Sequence, residues 1–411
     1  MKTNQIYKKR NNCRLCLSKD IKKVFEIGKT PISEKYVKSK QNKIPKIKLD
    51  LYMCKTCHHV QVVHVINPKY LWSEYTFETG RDKNLIKHFQ QYANKVCKFK
   101  FLEKKDLIVD IGSNDGTLLK SFDKNGYKNV LGIDPAKDIA KKANNLGIRT
   151  LNSFFDEKVS SLIKKKYGKA KIVTANNVFA HNDDLLSFLK SIKNILSEDG
   201  IFIFEASYLL DIIKKQLIGT IFHEHLSYHS IISLKKFFEN NGLNFFDVER
   251  NKQQGGSIIG YVTKNKKIKV SKKIFKLIKL EKKNYLDSNK CFLSFEKKLK
   301  QTKKNINNLF KKEKSLSCFG SSRSGTTIMT YFGMGEKIQY IFDDNKSKHY
   351  KFSPVNQIKV YPSEEIYKKK VNFLFIMAWI HEKKIILNHK DFLNNSGKFV
   401  SLYPKFKIIK K

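Results

Sequence analysis

The sequence predicts an α/β protein: a Rossmann-like domain with a small zinc ribbon ahead of it and a second, smaller α/β domain behind it. Three observations carry that expectation. Four of the seven cysteines fall into two close pairs near the start of the chain. From Leu107 to Glu205, strand-like and helix-like stretches alternate, a pattern that lays parallel strands between two layers of helices. A second glycine loop then follows a second apolar strand at Leu316–Phe319. With 411 residues the chain exceeds one ordinary core of about 100 to 200 residues, so two or three domains are expected.

Residues 1–70 read as the cysteine module, closed by Pro68 and the aromatic cluster Tyr70, Trp72, Tyr75 and Phe77. Residues 71–264 open with an amphipathic helix near Asn84 to Val96. They continue through Leu107–Ile111, a helix from Thr117, Val130–Ile133, a helix from Ala136, Ile172–Thr174, a helix from Asp183, and Ile201–Glu205. Residues 265–411 start in a lysine-rich helical linker around Lys264 to Lys314. The second glycine loop, a helix, and strands at Ile338–Phe342 and Asn372–Ile376 come after it.

Composition excludes several classes. A chain with 41% hydrophobic and 12% aromatic residues can bury sizeable cores and is not globally disordered. The longest apolar run, Phe373 to Ile380, is far short of the roughly 20 residues that span a bilayer, so no membrane association is expected. Lys8, Lys9 and Arg10 are followed by no apolar stretch, so no secretory signal is visible and a cytoplasmic location is expected. The net charge of +45 invites a nucleic-acid reading, yet only six of the 82 basic residues are arginine. Phosphate and base recognition favours the arginine fork, so the lysines read as solvated faces and no specific nucleic acid is expected.

Cys13-x-x-Cys16 and Cys54-x-x-Cys57 can each present two thiolates to one tetrahedral zinc, a closed and therefore structural site. His58 and His59 adjoin the second pair as alternative ligands. Asp110-Ile111-Gly112-Ser113-Asn114-Asp115-Gly116 follows an apolar strand and opens a helix, where a parallel sheet meets a nucleoside cofactor. The close glycine pair of a dinucleotide fingerprint is absent, and the acidic-x-Gly-x-x-x-Gly form resembles motif I of S-adenosylmethionine methyltransferases. Asp134, ending the next strand, can accept both ribose hydroxyls or cap the following helix. Asn176 and Asn177 fall at the same sheet edge, as cofactor contacts or as turn residues.

Phe222-His223-Glu224-His225-Leu226-Ser227-Tyr228-His229 concentrates proton-transfer groups as active sites do. Ser227 stands where a zinc protease would need its second histidine, although His225 and His229 are spaced to share a helix face as metal ligands. Gly320-Ser321-Ser322-Arg323 comes close to a P-loop, but Thr326 occupies the lysine position. An anion cradle for a diphosphate, with Arg323 in it, is the reading that remains. Asp343-Asp344 after the next strand reads either as a hydroxyl-binding pair or as a turn.

Taken in order, these motifs resemble the S-adenosylmethionine-dependent C-methyltransferases that act on nucleotide-linked keto sugars. The likeness runs over nearly the whole chain. It also takes in Trp72-Ser73-Glu74-Tyr75, Asn177-Val178-Phe179-Ala180-His181, Phe204-Glu205, Gly255-Gly256-Ser257 and Phe342-Asp343-Asp344-Asn345. The resemblance implies a zinc domain, a cofactor domain of the class I methyltransferase type and a C-terminal α/β domain that binds the nucleotide of the sugar. It implies S-adenosylmethionine held by Asp110, Gly112, Ser113, Asn114, Gly116, Asp134, Asn176 and Asn177, and the nucleotide-linked substrate held by Gly320, Arg323 and Asp343. It places His225, Glu224, Tyr75 and His181 around the transferred methyl. Three positions depart from the family pattern: Phe222 replaces a tyrosine, Pro354-Val355 a Pro-Gly, and Trp379-Ile380 a Trp-Asn.

The chemistry is coherent, because carbon attack on a sulfonium methyl needs a carbanion and a sugar carbon is acidic only beside a carbonyl. A base and donors to the enolate oxygen are then required. His225 is the expected base, with Glu224 orienting it or gripping a hydroxyl, and Tyr75 and His181 as donors. An RNA-base methyltransferase and a non-catalytic nucleotide-sugar scaffold are the competing readings. Monomer and homodimer are equally open.

Overall fold

The computed structural model describes residues 6–42, 44–72 and 77–411. Its centre is a seven-stranded sheet of β1 (Ile108–Ile111), β2 (Val130–Asp134), β3 (Thr150–Asn152), β4 (Ala170–Asn176), β5 (Leu196–Ser207), β6 (Asn244–Asn251) and β7 (Ser257–Thr263). The strands lie in the order 3-2-1-4-5-7-6. The first five pair in parallel, and β7 inserts antiparallel between β5 and β6. Strand order reverses between β1 and β4, which opens a crevice at their carboxyl ends. This is the class I methyltransferase arrangement.

Its parallel strands are buried on both faces, so they are apolar without alternation. Ile108, Ile172, Ile201 and Ile203 face the helices Lys83–Val96 and Thr117–Lys124. Val109, Val173, Phe202 and Phe204 face the opposite core, shared with helices Leu185–Ile195 and Ile231–Asn240. There Phe179, Phe204, Phe238 and Phe245 pack ring against ring, each fully buried side chain contributing about 1.5–3 kcal/mol. Asp82, Asp156 and Asp184 start three of the helices by accepting backbone N–H groups with their carboxylates. The strand ending at Asn176 runs two residues beyond the expected Thr174, so Asn176 belongs to the strand and only Asn177, at φ 55°, makes the turn.

The lysine-rich stretch forms two helices, Lys272–Lys283 and Lys290–Lys312. Beyond it lies a six-stranded sheet of β8 (Leu316–Phe319), β9 (Ile341–Asp343), β10 (Val360–Pro362), β11 (Phe373–Ile376), β12 (Lys398–Ser401) and β13 (Lys407–Ile409), in the order 10-9-8-11-12-13. The strand β9 begins later than the expected Ile338. That residue is instead buried in the preceding turn, its N–H bonded to Met334 O.

In the N-terminal module, strands Ile21–Phe25, Leu51–Cys54 and Val60–Val62 form an antiparallel sheet whose fourth strand comes from elsewhere. It is Ser227–Tyr228, from the histidine-rich segment, paired with Gln61 and Val60. The module also packs Phe25 on Phe295 of the second linker helix and pairs Val37 with Phe352 through two backbone hydrogen bonds. Segments of all three parts therefore meet along one seam. Among the described residues no helix is long and apolar enough to cross a membrane.

Candidate active site at the seam of three modules

The Sγ atoms of Cys13, Cys16, Cys54 and Cys57 all lie within 4.8 Å of one another, with Cys13–Cys57 and Cys16–Cys54 at 3.5 Å. Tetrahedral thiolates around zinc, with Zn–S near 2.3 Å, stand about 3.8 Å apart, so the four sulfurs fit one ion. Leu17 and His58 take positive φ (61° and 63°) after each pair, turning the chain so that both thiols of a knuckle face inward. Neither alternative histidine joins the cluster: His59 bonds Ser227 Oγ at 3.1 Å, and His58 lies outside the ligand group.

At the sheet edge the loop between β1 and its helix turns on Gly112, Asn114 and Gly116, all with positive φ. A Cβ on Gly112 would stand 2.2 Å from Val178. Asp134 Oδ2 accepts Asn114 N–H and Oδ1 accepts Ala136 N–H, both at 2.9 Å. Each oxygen keeps a lone pair for a hydroxyl, so ribose binding and helix entry are compatible at this residue. Burial pushes the Asp134 carboxyl upward, against those two N–H donors. Asp110 is more deeply placed; burial pushes it up to about 7, while a 2.5 Å hydrogen bond from Thr174 Oγ1 pulls it back.

Two expected contacts have their side chains turned to the protein. Ser113 points its hydroxyl at the bare Cα of Gly132, where an added Cβ would lie 2.4 Å away. Asn114 accepts Thr79 N–H and donates to Phe77 O, while Asp115 accepts Gly80 N–H at 2.8 Å. The loop thus clasps the segment that follows Tyr75, and Tyr75 itself lies outside the described residues. Asn176 places its buried amide beside the Tyr92 hydroxyl. Asn177 N–H bonds Glu205 O at 2.8 Å. Glu205, fully buried at the end of β5, bonds His88 at 2.7 Å and Asn251 at 2.7 Å.

The histidine-rich segment divides by function of place. His223 donates Nε2–H to Ile47 O at 3.1 Å, and His229 stacks on Phe179 in the core, its centroid 5.0 Å away. His225 and His229 flank the strand Ser227–Tyr228 and so share no helix face, and among the described residues the four cysteines are the one group of three or more such ligands close enough to hold an ion. His225 is different. Its Nδ1 lies 2.8 Å from Thr220 O, which can only accept, so Nδ1 carries the proton and Nε2 is the basic nitrogen. Its ring packs on Phe222, with centroids 4.0 Å apart, and on His181, at 5.1 Å. Burial, aided by the Arg323 charge, holds His225 down at about 4 against the Thr220 hydrogen bond. His181 is held well below the usual imidazole range by burial and by both neighbours.

Glu224 is buried and meets Arg323 Nε at 3.1 Å. Arg323 opens the helix Arg323–Phe332, whose Ser322 cap bonds Gly325 N–H. Thr327, one turn on, donates to Ile221 O at 2.6 Å, and Tyr403 OH accepts Gly219 N–H at 3.0 Å. Gly320 has φ 99° and lies so close to Ala378 that a Cβ would stand 2.5 Å from the Ala378 Cβ. Asp343 Oδ2 takes both the N–H and the hydroxyl of Ser321 and so shapes the glycine loop. Lys348 donates to Ser321 O, pairs with Glu34 at 2.9 Å and lies over the Tyr36 ring.

The structure thus brings His225, His181, Glu224 and Arg323 together. It sets Asp134, Gly112 and Asn176 at the carboxyl edge of the same central sheet. Sequence reading missed Glu34, Tyr36 and Lys348 at the glycine loop and His88 beside the cofactor crevice. It quoted Glu205 within Phe204-Glu205, at the end of an apolar strand, without giving it a role.

Known proteins resemble this chain module by module. Family models described as "Putative zinc binding domain", "Methyltransferase domain" and "C-methyltransferase C-terminal domain" match residues 13–72, 83–248 and 252–404. C-methyltransferase NovU of Streptomyces niveus is 27% identical over 407 residues, 97% of either chain. Among solved structures, an S-adenosylmethionine-dependent methyltransferase of Clostridium acetobutylicum is 17% identical at TM-score 0.36, over 43% of this chain and 91% of that one. Magnesium protoporphyrin IX methyltransferase of Synechocystis, with S-adenosylhomocysteine bound, is 14% identical at TM-score 0.33, over 47% and 91%.

Proposed function

Because this chain belongs to the S-adenosylmethionine-dependent C-methyltransferases that carry an N-terminal zinc module, we propose that it enolises a nucleotide-diphosphate-linked keto sugar and methylates the resulting carbanion. The observation that carries the reading is the state of His225. With Nδ1–H committed to Thr220 O, its Nε2 is an acceptor inside a half-buried aromatic slot. Metal-independent proton abstraction from carbon needs such a base beside hydrogen-bond donors.

In this reading Nε2 of His225 takes the proton from the carbon next to the sugar carbonyl, and the electron pair moves onto the carbonyl oxygen. His181, stacked on it, is the proposed donor to that oxygen, with Tyr75 as the second. Asp134, the glycine loop, Asn176 and Asn177 would hold S-adenosylmethionine in the crevice, where it would supply the electrophilic methyl and leave as the thioether S-adenosylhomocysteine. Glu224 grips a sugar hydroxyl and is itself oriented by Arg323. The glycine loop at Gly320, with Arg323 and the Asp343-braced Ser321, receives the diphosphate at a helix N-terminus. Phe222, against the His225 ring, keeps water off the base where the family pattern has a phenol.

The test is deuterium exchange. Wild-type protein in D2O with a panel of nucleotide-linked keto sugars should exchange one acidic C–H, and with the methyl donor should form a C-methylated product. His225→Asn should bind both ligands and do neither. Methyl transfer to RNA, or binding of nucleotide sugar without exchange, would favour the competing readings.

A further inference from the structure

We propose that Arg14, carried inside the first cysteine pair, is a positioning residue for the reaction, holding the His181 and His225 segments in the register that stacks their imidazoles. The proposal rests on the reading of His225 as the base. Arg14 is fully buried, and its guanidinium touches three separate pieces of chain. Nη1 donates to Leu226 O at 3.2 Å and to Val62 O at 2.6 Å, while Nη2 lies 3.1 Å from Asp183 Oδ1. Leu226 directly follows His225, and Asp183 stands two residues after His181. The two segments also bond to each other, Leu226 N–H to Ala180 O at 2.9 Å. The guanidinium therefore completes a closed set of contacts around the histidine pair from the zinc side.

Its own placement is equally determined. Arg14 N–H donates to Gln61 Oε1 at 2.9 Å, and Gln61 pairs across the sheet with Ser227. Cys13 and Cys16 fix the backbone on either side. A planar fork can serve two carbonyls and a carboxylate at once, which an ammonium on a flexible stem cannot do. Asp183 also keeps Lys8 at 2.8 Å and Arg10 at 3.3 Å, and Leu226 O keeps Val62 N–H at 3.0 Å. Removal of Arg14 thus leaves Asp183 and Leu226 O partnered and takes from Val62 O its 2.6 Å donor, so what is lost is the link from Val62 to the two segments. The zinc module, on this account, is part of the catalytic apparatus through one arginine.

The test uses the full-length, zinc-loaded protein with Arg14→Lys and Arg14→Met. Zinc content and calorimetric affinity for S-adenosylhomocysteine should stay within about threefold of wild type, while kcat falls at least tenfold with less change in KM. Ring-nitrogen NMR of histidine-labelled protein, with the His225 signals identified from His225→Asn, supplies the decisive readout. The fixed Nδ1–H tautomer of wild type should give way to averaged tautomers. Asp183→Asn, which keeps Arg14 but weakens its hold on the His181 segment, should shift the same signals if the arginine variants do not fold. An unchanged His225 spectrum in the folded variants, or activity lost only in proportion to zinc, overturns the proposal. Failure of the base assignment would show separately, as deuterium exchange that persists in His225→Asn.

Discussion

Arg323 Nε and Glu224 Oε2 stand 3.1 Å apart, an ion pair that ties the helix after the C-terminal glycine loop to the histidine-rich segment of the central domain. The loop sequence alone placed Arg323 in an anion cradle for a diphosphate. The structure sets its guanidinium one residue from His225, close enough to help hold that imidazole neutral. On the proposed reading, a diphosphate arriving at this helix N-terminus would meet a cation already engaged with Glu224.

Arg323→Gln should therefore lower kcat as well as raise KM. It leaves Glu224 buried without its cation, which costs about 3 kcal/mol of stability unless the carboxyl takes up a proton. Glu224→Gln combined with Arg323→Gln should recover part of that loss, with a coupling of about 1–3 kcal/mol in a double-mutant cycle read by chemical denaturation. A change confined to KM, with additive stabilities, would separate Arg323 from Glu224.

The acidic limb of the kcat profile should fall near pH 4 and not near 6.5. On the proposed mechanism His225 acts as the neutral base, and burial holds its protonation down to about 4. Its folded-state value lies below the unfolded one, so the unfolded chain binds the proton first, and stability declines as pH drops from about 6.5 toward 4. Rapid pH-jump assays separate the two effects. A limb at 6.5 would mean a solvated imidazole.

Asp134→Ala should weaken S-adenosylhomocysteine binding by roughly 1.5–3 kcal/mol by calorimetry. Two backbone N–H groups, of Asn114 and Ala136, lose their acceptor with it, so the loop loosens as the ribose contact goes. Asp134→Asn keeps one acceptor and should lose less. Tight NAD binding by the wild type would contradict the assignment of the crevice.

Stripping zinc with a chelator, or Cys54→Ser, should lower Tm by more than about 5 °C and abolish methyl transfer together. The pairing of Ser227–Tyr228 with Val60 and Gln61 transmits the loss to the His225 segment. Cofactor affinity should change little, since Asp134 and Asn176 stand on strands of the central sheet. Full activity in zinc-free protein would show that the module is dispensable.

The apolar strands, the helices near Asn84 and from Asp183, the two cysteine pairs and the loop from Asp110 to Gly116 were legible because each is written in neighbouring residues. Backbone conformation, strand burial and metal-ligand spacing act over a few positions. The fates of individual side chains in those motifs were less legible. Ser113 and Asn114 read as cofactor contacts, yet their side chains face Gly132 and the Phe77–Thr79 segment. Asp343 read as a ligand contact or a turn, and it braces Ser321.

By itself the sequence singled out the residue types suited to chemistry: a base-rich segment, an anion loop, a cofactor edge and a thiol cluster. Only the tertiary structure decided which of the three histidines between 223 and 229 faces the seam, because His223 and His229 are claimed by Ile47 O and by the Phe179 ring. It also decided that Arg14 reaches Asp183 and that Arg323 reaches Glu224. These pairs join different modules, and no local period encodes them. They form because burying the interfaces between modules brings charged groups out of water together, and a buried charge is tolerated only beside a partner.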